Sequence, residues 1–229
     1  MVASGLAARA GAAATHAANG PIAPPTGKIR AAFVLDEGAT VIDFAGPWET
    51  FQDAVTGDIQ HFELFTVASR RTIQTTGNMG PAGMKGLTLT VDHVFPDAPQ
   101  PSVIVIGAQS GRDNPLKLQW IRSMAAGADV VMSVCTGAFI LAATGLLNGL
   151  SATTHHDFYD DFEEAFPKVK LIRDRRFVDN GKFISAGGLT SGIDAALHVV
   201  GRYFGSAKAQ STATYMEHYS SGWRTGVRG

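Results

Sequence analysis

The stretch of sequence that decides the fold is Asp129-Val-Val-Met-Ser-Val-Cys135-Thr-Gly-Ala-Phe-Ile-Leu-Ala-Ala143. Its apolar first half predicts a buried strand over Val130–Val134, and its second half has the composition of a helix. A strand-to-helix turn of this kind exposes the cysteine sulfur, directs free backbone N–H groups at it and adds the positive end of a helix dipole. Cys135 is therefore a candidate nucleophile with a lowered thiol pKa. A buried structural cysteine is the alternative, because free cysteine is among the most buried residue types.

The same alternation of strands and helices extends outward from Cys135 in both directions. Val103–Ile106 is fully apolar and predicts a central strand, while Pro115–Ala126 and Ile193–Phe204 have helical spacing. Further strands are predicted over Ala31–Leu35, Phe62–Ala68 and Phe183–Ala186, a helix over Trp48–Ala54 after Pro47, and an antiparallel pair over Thr72–Thr76 and Leu87–Val91. This order predicts an α/β fold with a mainly parallel sheet and helices on both faces. In such sheets, sites form beyond the carboxyl ends of the strands.

Composition narrows the possible functions. The 229 residues are 45% hydrophobic and carry a formal net charge of −1. The chain therefore lacks the excess positive charge that is typical of proteins that bind nucleic acid or an anionic membrane. A single cysteine excludes an internal disulfide framework and a multi-cysteine zinc site. Residues 1–28 are rich in Ala, Gly and Pro and predict a flexible arm, followed by a single domain over 29–229. We expect a cytoplasmic protein, with export as the alternative if the arm follows a removed signal.

Four motifs carry a resemblance to a known family. They are Val41-Ile-Asp-Phe-Ala-Gly-Pro47, Ser133-Val-Cys-Thr-Gly-Ala138, Ala152-Thr-Thr-His155 and Ala186-Gly-Gly-Leu-Thr-Ser-Gly-Ile-Asp194. On these residues the chain from about Ile29 to Phe204 resembles the PfpI/ThiJ superfamily, the class I glutamine-amidotransferase-like proteins of flavodoxin-like fold. It is most similar to the isonitrile hydratase branch and to the ligand domains of AraC-type regulators. The resemblance implies that Cys135 occupies the nucleophile-elbow position.

Asp43 is the candidate partner of Cys135. It lies between Ile42 and Phe44, where a carboxylate needs either a polar partner or a raised pKa. The alternative is a helix cap or turn aspartate just before Pro47. The resemblance favours a catalytic role, since the matching acidic residue of the hydratase branch faces the cysteine and acts as general acid and base.

Oxyanion donors are predicted on two turns. The backbone N–H of Thr136 directly follows the nucleophile, and the turn Gly107–Gly111 follows a central strand. Ala108 and Gln109 can present N–H groups there, and the Gln109 side chain can add a donor; the alternative is a plain strand-to-helix loop. The family usually has a Pro-Gly-Gly type sequence at this turn. Thr136 also replaces the histidine that follows the nucleophile in the protease and amidase branches, so peptidase activity is not expected.

His155 is the remaining candidate for the substrate-binding site. By resemblance it fits a position near the site, where its imidazole would reach the sulfur or the substrate. The alternative is a hydrogen-bonded residue at a strand end. His156 with Asp160, one helical turn further on, makes a poor metal site because nothing supplies a third ligand. We therefore expect no metal and no cofactor.

These features together predict a cysteine-dependent enzyme, an isonitrile hydratase-like lyase with Cys135 as nucleophile and Asp43 as general acid and base. The alternative is a non-catalytic ligand- or redox-sensing domain, since the regulator relatives carry this domain before a helix-turn-helix unit. The chain ends at Gly229, soon after a last predicted helix over Ala207–Tyr219, which argues against a DNA-binding domain. We expect a small-molecule substrate and no nucleic-acid or membrane partner; the resemblance implies a homodimer.

Overall fold

The centre of the fold is a sheet of eight strands in the described part of this computed structural model, which covers residues 20–75 and 86–228. The strands along the chain are β1 (Ile29–Val34), β2 (Val55–Thr56), β3 (Ile59–Gln60), β4 (Phe62–Ala68), β5 (Thr72–Thr75), β6 (Leu87–Thr90), β7 (His93–Val94), β8 (Val103–Ile106), β9 (Val130–Val134), β10 (Ser151–Ala152), β11 (Lys170–Leu171), β12 (Phe177–Asp179), β13 (Phe183–Ala186) and β14 (Val227–Arg228). The order across the sheet is β14-β12-β13-β9-β8-β1-β4-β7. Neighbours are parallel except β12 and β13, so the predicted mainly parallel sheet is confirmed. The predicted antiparallel pair forms as β5 and β6.

Helices cover both faces of the sheet, as predicted. They are α1 (Val41–Gln52), α2 (Pro115–Gly127), α3 (Gly137–Ala143), α4 (Tyr159–Ala165), α5 (Ser191–Phe204) and α6 (Ser206–Tyr215), with short 3-10 segments at Phe95–Asp97, His156–Phe158 and Gly222–Arg224. Side chains of α1, α5 and α6 form one apolar layer, and side chains of α2, α3 and α4 form the other. Strand β8 serves both layers, because Val103 and Val105 join the first and Ile104 and Ile106 the second. This two-sided burial explains why its sequence is apolar throughout.

Helix α1 begins at Val41, whereas the sequence predicted a helix opened by Pro47. The prediction was wrong because Pro47, a residue favoured in a first turn, stands here inside the helix. Close packing against α5 accompanies this: a Cβ on Gly46 would lie only 2.8 Å from Ile193 Cγ1. Tertiary packing therefore outweighs the backbone hydrogen bond that a proline cannot donate. As a consequence, Asp43 lies in the first turn of α1 and not in a turn before the helix.

The predicted arm over residues 1–28 falls partly outside the described residues, which begin at Gly20. The part that is described is attached to α5. The backbone N–H of Ile22 donates to Arg202 O at 2.8 Å, and Arg202 Nε donates to Gly20 O at 3.2 Å. Within the described ranges, no helix combines the length and the apolar character needed to cross a membrane.

A buried ion pair fixes the loops that follow β1 and β8. The Lys117 side chain on α2 is fully buried, and its Nζ lies 3.0 Å from Asp36 Oδ2 and donates to Ser110 O at 2.9 Å. The hydroxyl of Ser69 donates to the other Asp36 oxygen at 2.5 Å. Burial lowers the pKa of Lys117, and the neighbouring Asp36 charge opposes that shift. The pair therefore ties the segment after β1 to the loop after β8.

We expect Lys117→Met to lower the free energy of unfolding by roughly 3 to 5 kcal/mol, because it leaves the Asp36 carboxylate buried without its counter-charge. Urea unfolding would measure this, and the double variant Lys117→Met/Asp36→Asn should recover part of the loss. The matched control is Arg173→Met, which removes exposed ion pairs to Asp160 and Glu163 and should cost less than about 1 kcal/mol. A loss at Lys117 no larger than the loss at Arg173 would contradict the prediction.

Candidate active site

Cys135 lies on the turn between β9 and α3 in a backbone conformation that is rare for a residue with a side chain. Its φ is +58°, and its N–H donates to Ala186 O at 3.2 Å and to Gly187 O at 2.8 Å. Such strained residues persist only where their surroundings hold them, and they cluster at functional sites. Gly137 makes the turn possible, since a Cβ there would lie 2.1 Å from Ile106 O. The turn that carries Cys135 is therefore held by contacts to the ends of two strands, β13 and β8.

Two backbone N–H groups point at the Cys135 sulfur. One belongs to Thr136, the donor that the sequence predicted, and the other to Leu189. Leu189 lies in the turn between β13 and α5 and has a φ of +53°. Both hydrogen bonds favour negative charge on the sulfur, so both lower the thiol pKa. No sequence pattern indicates Leu189 as a donor, because a backbone donor depends on the conformation of a turn and not on the residue type.

The thiol pKa is nevertheless raised, contrary to the sequence expectation of a lowered one. Burial is the largest cause, and the neighbouring Asp43 charge adds to it, so that the pKa of Cys135 moves from 9.0 to about 12. Only 7% of the residue is exposed. A helix N-terminus and two N–H groups are too weak to offset the removal of the sulfur from water beside a carboxylate. The resting sulfur is therefore protonated.

Asp43 is the acidic partner of this thiol. It is completely buried, and its Oδ2 accepts the backbone N–H of Ala108 at 2.9 Å. The carboxylate also shares a hydrogen bond with the Cys135 side chain. Burial raises the pKa of Asp43 from 3.8 to about 7, and these two hydrogen bonds only partly oppose the shift. A group with such a pKa can both give and take a proton near neutral pH.

The loop after β8 faces Asp43. The sequence instead predicted that Ala108 and Gln109 in this loop would donate to an oxyanion. The N–H of Ala108 is engaged by the carboxylate, and Gln109 Nε2 donates to Val34 O at 2.9 Å and to Gly107 O at 3.2 Å. Gly107 permits the close approach, since a Cβ there would lie 2.9 Å from Asp43 Cβ. The physical reason is that a buried carboxylate requires a donor, and this loop supplies it.

His155 lies beside the cysteine turn, but its imidazole makes local contacts. Its Nδ1 accepts the backbone N–H of Asp157 at 3.2 Å, and its ring stacks on His156. Burial lowers the pKa of His155, which favours the neutral imidazole. The preceding Thr154 is the residue that reaches the turn, because its hydroxyl donates to Cys135 O at 2.9 Å. Among the described residues, no hydrogen bond joins the His155 ring to the Cys135 side chain.

A possible metal-binding group was not predicted from the sequence. One ligand atom from each of His155, His156 and Asp157 lies within 4.8 Å of the others. These residues are consecutive, two of them are exposed, and His155 Nδ1 already accepts a hydrogen bond. The expectation of no metal therefore stays a prediction. The group differs from the His156 and Asp160 pair considered above.

Arg112 is the side chain at this end of the sheet that the sequence reading missed. It directly follows the Gly107–Gly111 turn, and its guanidinium carbon lies 4.5 Å from the centre of the Phe139 ring and 5.8 Å from that of Phe158. Burial lowers the pKa of Arg112. A lone basic residue just after a central strand could have drawn attention, although arginines are common on exposed loops.

The sheet order and the two helix layers define a flavodoxin-like α/β protein, and its cysteine lies on a strained strand-to-helix turn. The chain belongs to the DJ-1/PfpI family, whose model matches residues 29–202. A structure of a ThiJ/PfpI family protein from Pseudomonas syringae superposes with a TM-score of 0.71 at 24% identity, covering 87% of this chain and 78% of that one. At this identity the match shows the fold alone.

Curated relatives of two kinds match the sequence. The chain is 36% identical over 138 residues to an isonitrile hydratase from Pseudomonas putida. The matched region covers 58% of this chain and 59% of the relative. The chain is also 30% identical over 123 residues to the HTH-type transcriptional regulator GbdR of Pseudomonas aeruginosa. That matched region covers 52% of this chain and 33% of the regulator. These matches therefore span from a third to about three fifths of the relatives' lengths. They support a family that includes both an enzyme and regulators.

Proposed function

We propose that this protein is an isonitrile hydratase-like enzyme that adds water to an isonitrile and releases an N-substituted formamide. The observation that carries the proposal is the buried pair of Cys135 and Asp43, in which a carboxyl with a pKa of about 7 shares a hydrogen bond with a protonated thiol. Pairs of titratable groups with strongly perturbed pKa values are typical of catalytic sites. The similarity to the Pseudomonas putida hydratase supports the choice of reaction.

The first step joins the sulfur to the isonitrile carbon. The ionised Asp43 carboxylate takes the proton from the Cys135 thiol and delivers it to that carbon, while a sulfur electron pair forms the new C–S bond. The S–H bond breaks, a C–H bond forms, and the product is a thioimidate on Cys135. The N–H groups of Thr136 and Leu189 stabilise the charge that develops on the sulfur during the transfer.

The second step hydrolyses the thioimidate. Water attacks its carbon, and Asp43 takes one proton from that water and delivers it to the nitrogen. The C–S bond then breaks, and the proton of the new hydroxyl returns through Asp43 to the sulfur as the C=O bond forms. One isonitrile and one water are consumed, one formamide leaves, and the Cys135 and Asp43 pair is restored.

Shape also supports this substrate class. Cys135 is almost fully buried, which favours substrates with a small reactive group. An isonitrile ends in a linear, two-atom group whose terminal carbon carries no substituent. A peptide carbonyl is flanked on both sides by bulky substituents, which fits the earlier expectation that this protein is not a peptidase.

A ligand-sensing role is the second candidate. The similarity to the regulator GbdR favours it, because the matched residues there belong to a transcriptional regulator. Redox sensing is a weaker candidate, since it requires an accessible thiol with a low pKa, whereas burial and Asp43 raise the pKa of Cys135. The homodimer and the cytoplasmic location stay predictions.

The proposed function is tested by the pH dependence of cyclohexyl isocyanide hydration. We expect kcat/KM to rise about tenfold per pH unit below pH 7 and to level off above it, because the active form needs Asp43 ionised and the thiol protonated. Asp53→Asn, at the end of the same helix, should leave this profile unchanged. Absence of formamide would contradict hydration, and a rate that is constant or falls between about pH 5 and 7 would contradict the role of Asp43.

A further inference from the structure

Arg112 is a half-buried cation whose hydrogen-bond donors have no partner among the residues that the structure describes. Its guanidinium lies over the Phe139 ring and near the Phe158 ring, and it forms no ion pair or hydrogen bond within residues 20–75 and 86–228. Elsewhere in the fold, arginines close to carboxylates are paired with them, as Arg176 is with Asp194 at 2.6 Å. The aromatic rings compensate part of the lost hydration of Arg112 but do not use its N–H groups.

The position of this cation links it to the nucleophile. Phe139 lies on α3, four residues after Cys135. The centres of the Phe158 and His155 rings are 5.9 Å apart. Burial lowers the pKa of Arg112, and the nearby Asp161 charge opposes that shift. Asp161 is exposed and forms no ion pair with Arg112, so it leaves the guanidinium open to another anion. The cation therefore lies near two aromatic rings at the same end of the sheet as the cysteine turn.

We propose that Arg112 binds a carboxylate of the substrate, so that the substrates of this site are isonitriles that carry a carboxylate, with Phe139 and Phe158 against the chain between the two groups. A guanidinium presents a planar pair of donors that matches a carboxylate. This inference rests on the proposed function, because it names the substrate class of the same site. Arg112 is a specificity-determining residue in this proposal.

The charge preference of Cys135 tests the anion site without any isonitrile. Iodoacetate and iodoacetamide alkylate the same sulfur and differ by one negative charge, so the ratio of their rates cancels changes in thiol reactivity. We expect Arg112→Met to lower the iodoacetate-to-iodoacetamide ratio about tenfold, since it removes the charge-assisted hydrogen bonds to the carboxylate. Arg112→Lys should retain part of the preference. The matched control is Arg30→Met, which removes an exposed arginine paired with Glu63 at the opposite end of β1.

Turnover separates this inference from the proposed function. In the native protein the KM for isocyanoacetate should be at least about tenfold lower than the KM for cyclohexyl isocyanide, and Arg112→Met should abolish that difference. If neither isonitrile reacts but the alkylation ratio depends on Arg112, the hydratase proposal fails and the anion site stands. If the alkylation ratio is the same in Arg112→Met as in the native protein, the anion site is overturned, whether or not isonitriles are hydrated.

Discussion

Asp43→Asn is expected to lower kcat/KM for cyclohexyl isocyanide by about 10³, and Cys135→Ala to remove measurable hydration. Asparagine can still accept the Ala108 N–H bond, so the turn is retained, but it cannot take the thiol proton or return it to the substrate carbon. General acid–base catalysis contributes typically 10² to 10⁴ in rate, and here one group serves both steps. Initial rates of formamide formation measure the effect.

Two controls make this result decisive. Asp53→Asn changes an aspartate at the other end of α1 and should keep at least half of the native rate. The urea midpoint of Asp43→Asn should be no lower than that of the native protein at pH 8. Burial raises the Asp43 pKa above its unfolded value, so the ionised carboxylate costs folding free energy as the pH rises through 7. Retention of more than a tenth of the native activity by a folded Asp43→Asn would contradict the assigned role.

Gly137→Ala should lower the free energy of unfolding by more than about 3 kcal/mol. A Cβ at this position would lie 2.1 Å from Ile106 O and 2.9 Å from Ile106 C, and both atoms belong to the backbone of the central strand β8. Neither can move without displacing that strand, so the cost should exceed the usual range for overpacking, about 1 to 3 kcal/mol. Urea unfolding of the purified variant measures it.

Gly201→Ala is the matched control for this change. Gly201 lies inside α5, and the nearest atom to an added Cβ is Ala209 Cβ at 3.5 Å, an ordinary contact. Alanine has the higher helix propensity, so this variant should be neutral or more stable by up to about 1 kcal/mol. Equal effects at the two glycines would show that the turn tolerates a side chain, and the prediction for Gly137 would then fail.

Much of the fold could be predicted because the strands carry their own pattern. Val103–Ile106 and Val130–Val134 are apolar on both faces, and the structure places them side by side at the centre of the sheet. The start of helix α1 was predicted wrongly. Pro47 is a local signal for a helix start, whereas the actual helix accompanies a close tertiary contact between α1 and α5. Local patterns cannot report a packing distance between elements that are far apart in the sequence.

The candidate site divides in a similar way. The proximity of Asp43 and Cys135 was expected from the family resemblance, and the two side chains do share a hydrogen bond. The apolar neighbours of Asp43 indicated only that its carboxylate needs a partner or a raised pKa. The donor role of Leu189 and the turning of the Ala108 N–H toward Asp43 depend on backbone direction, which the sequence does not encode by residue type. The direction of the thiol pKa shift was also missed, because it depends on how much water the fold removes from the sulfur.

The raised pKa of Cys135 protects the sulfur from electrophiles other than the substrate. A sulfur that stays protonated at neutral pH reacts slowly with peroxides and with stray alkylating agents, because only the thiolate is a strong nucleophile. A molecule whose attacked carbon accepts the proton as the bond forms avoids that penalty if, as proposed above, Asp43 carries the proton across in the same step. The site would thus remain intact in the presence of many electrophiles and become reactive only toward those that take up a proton.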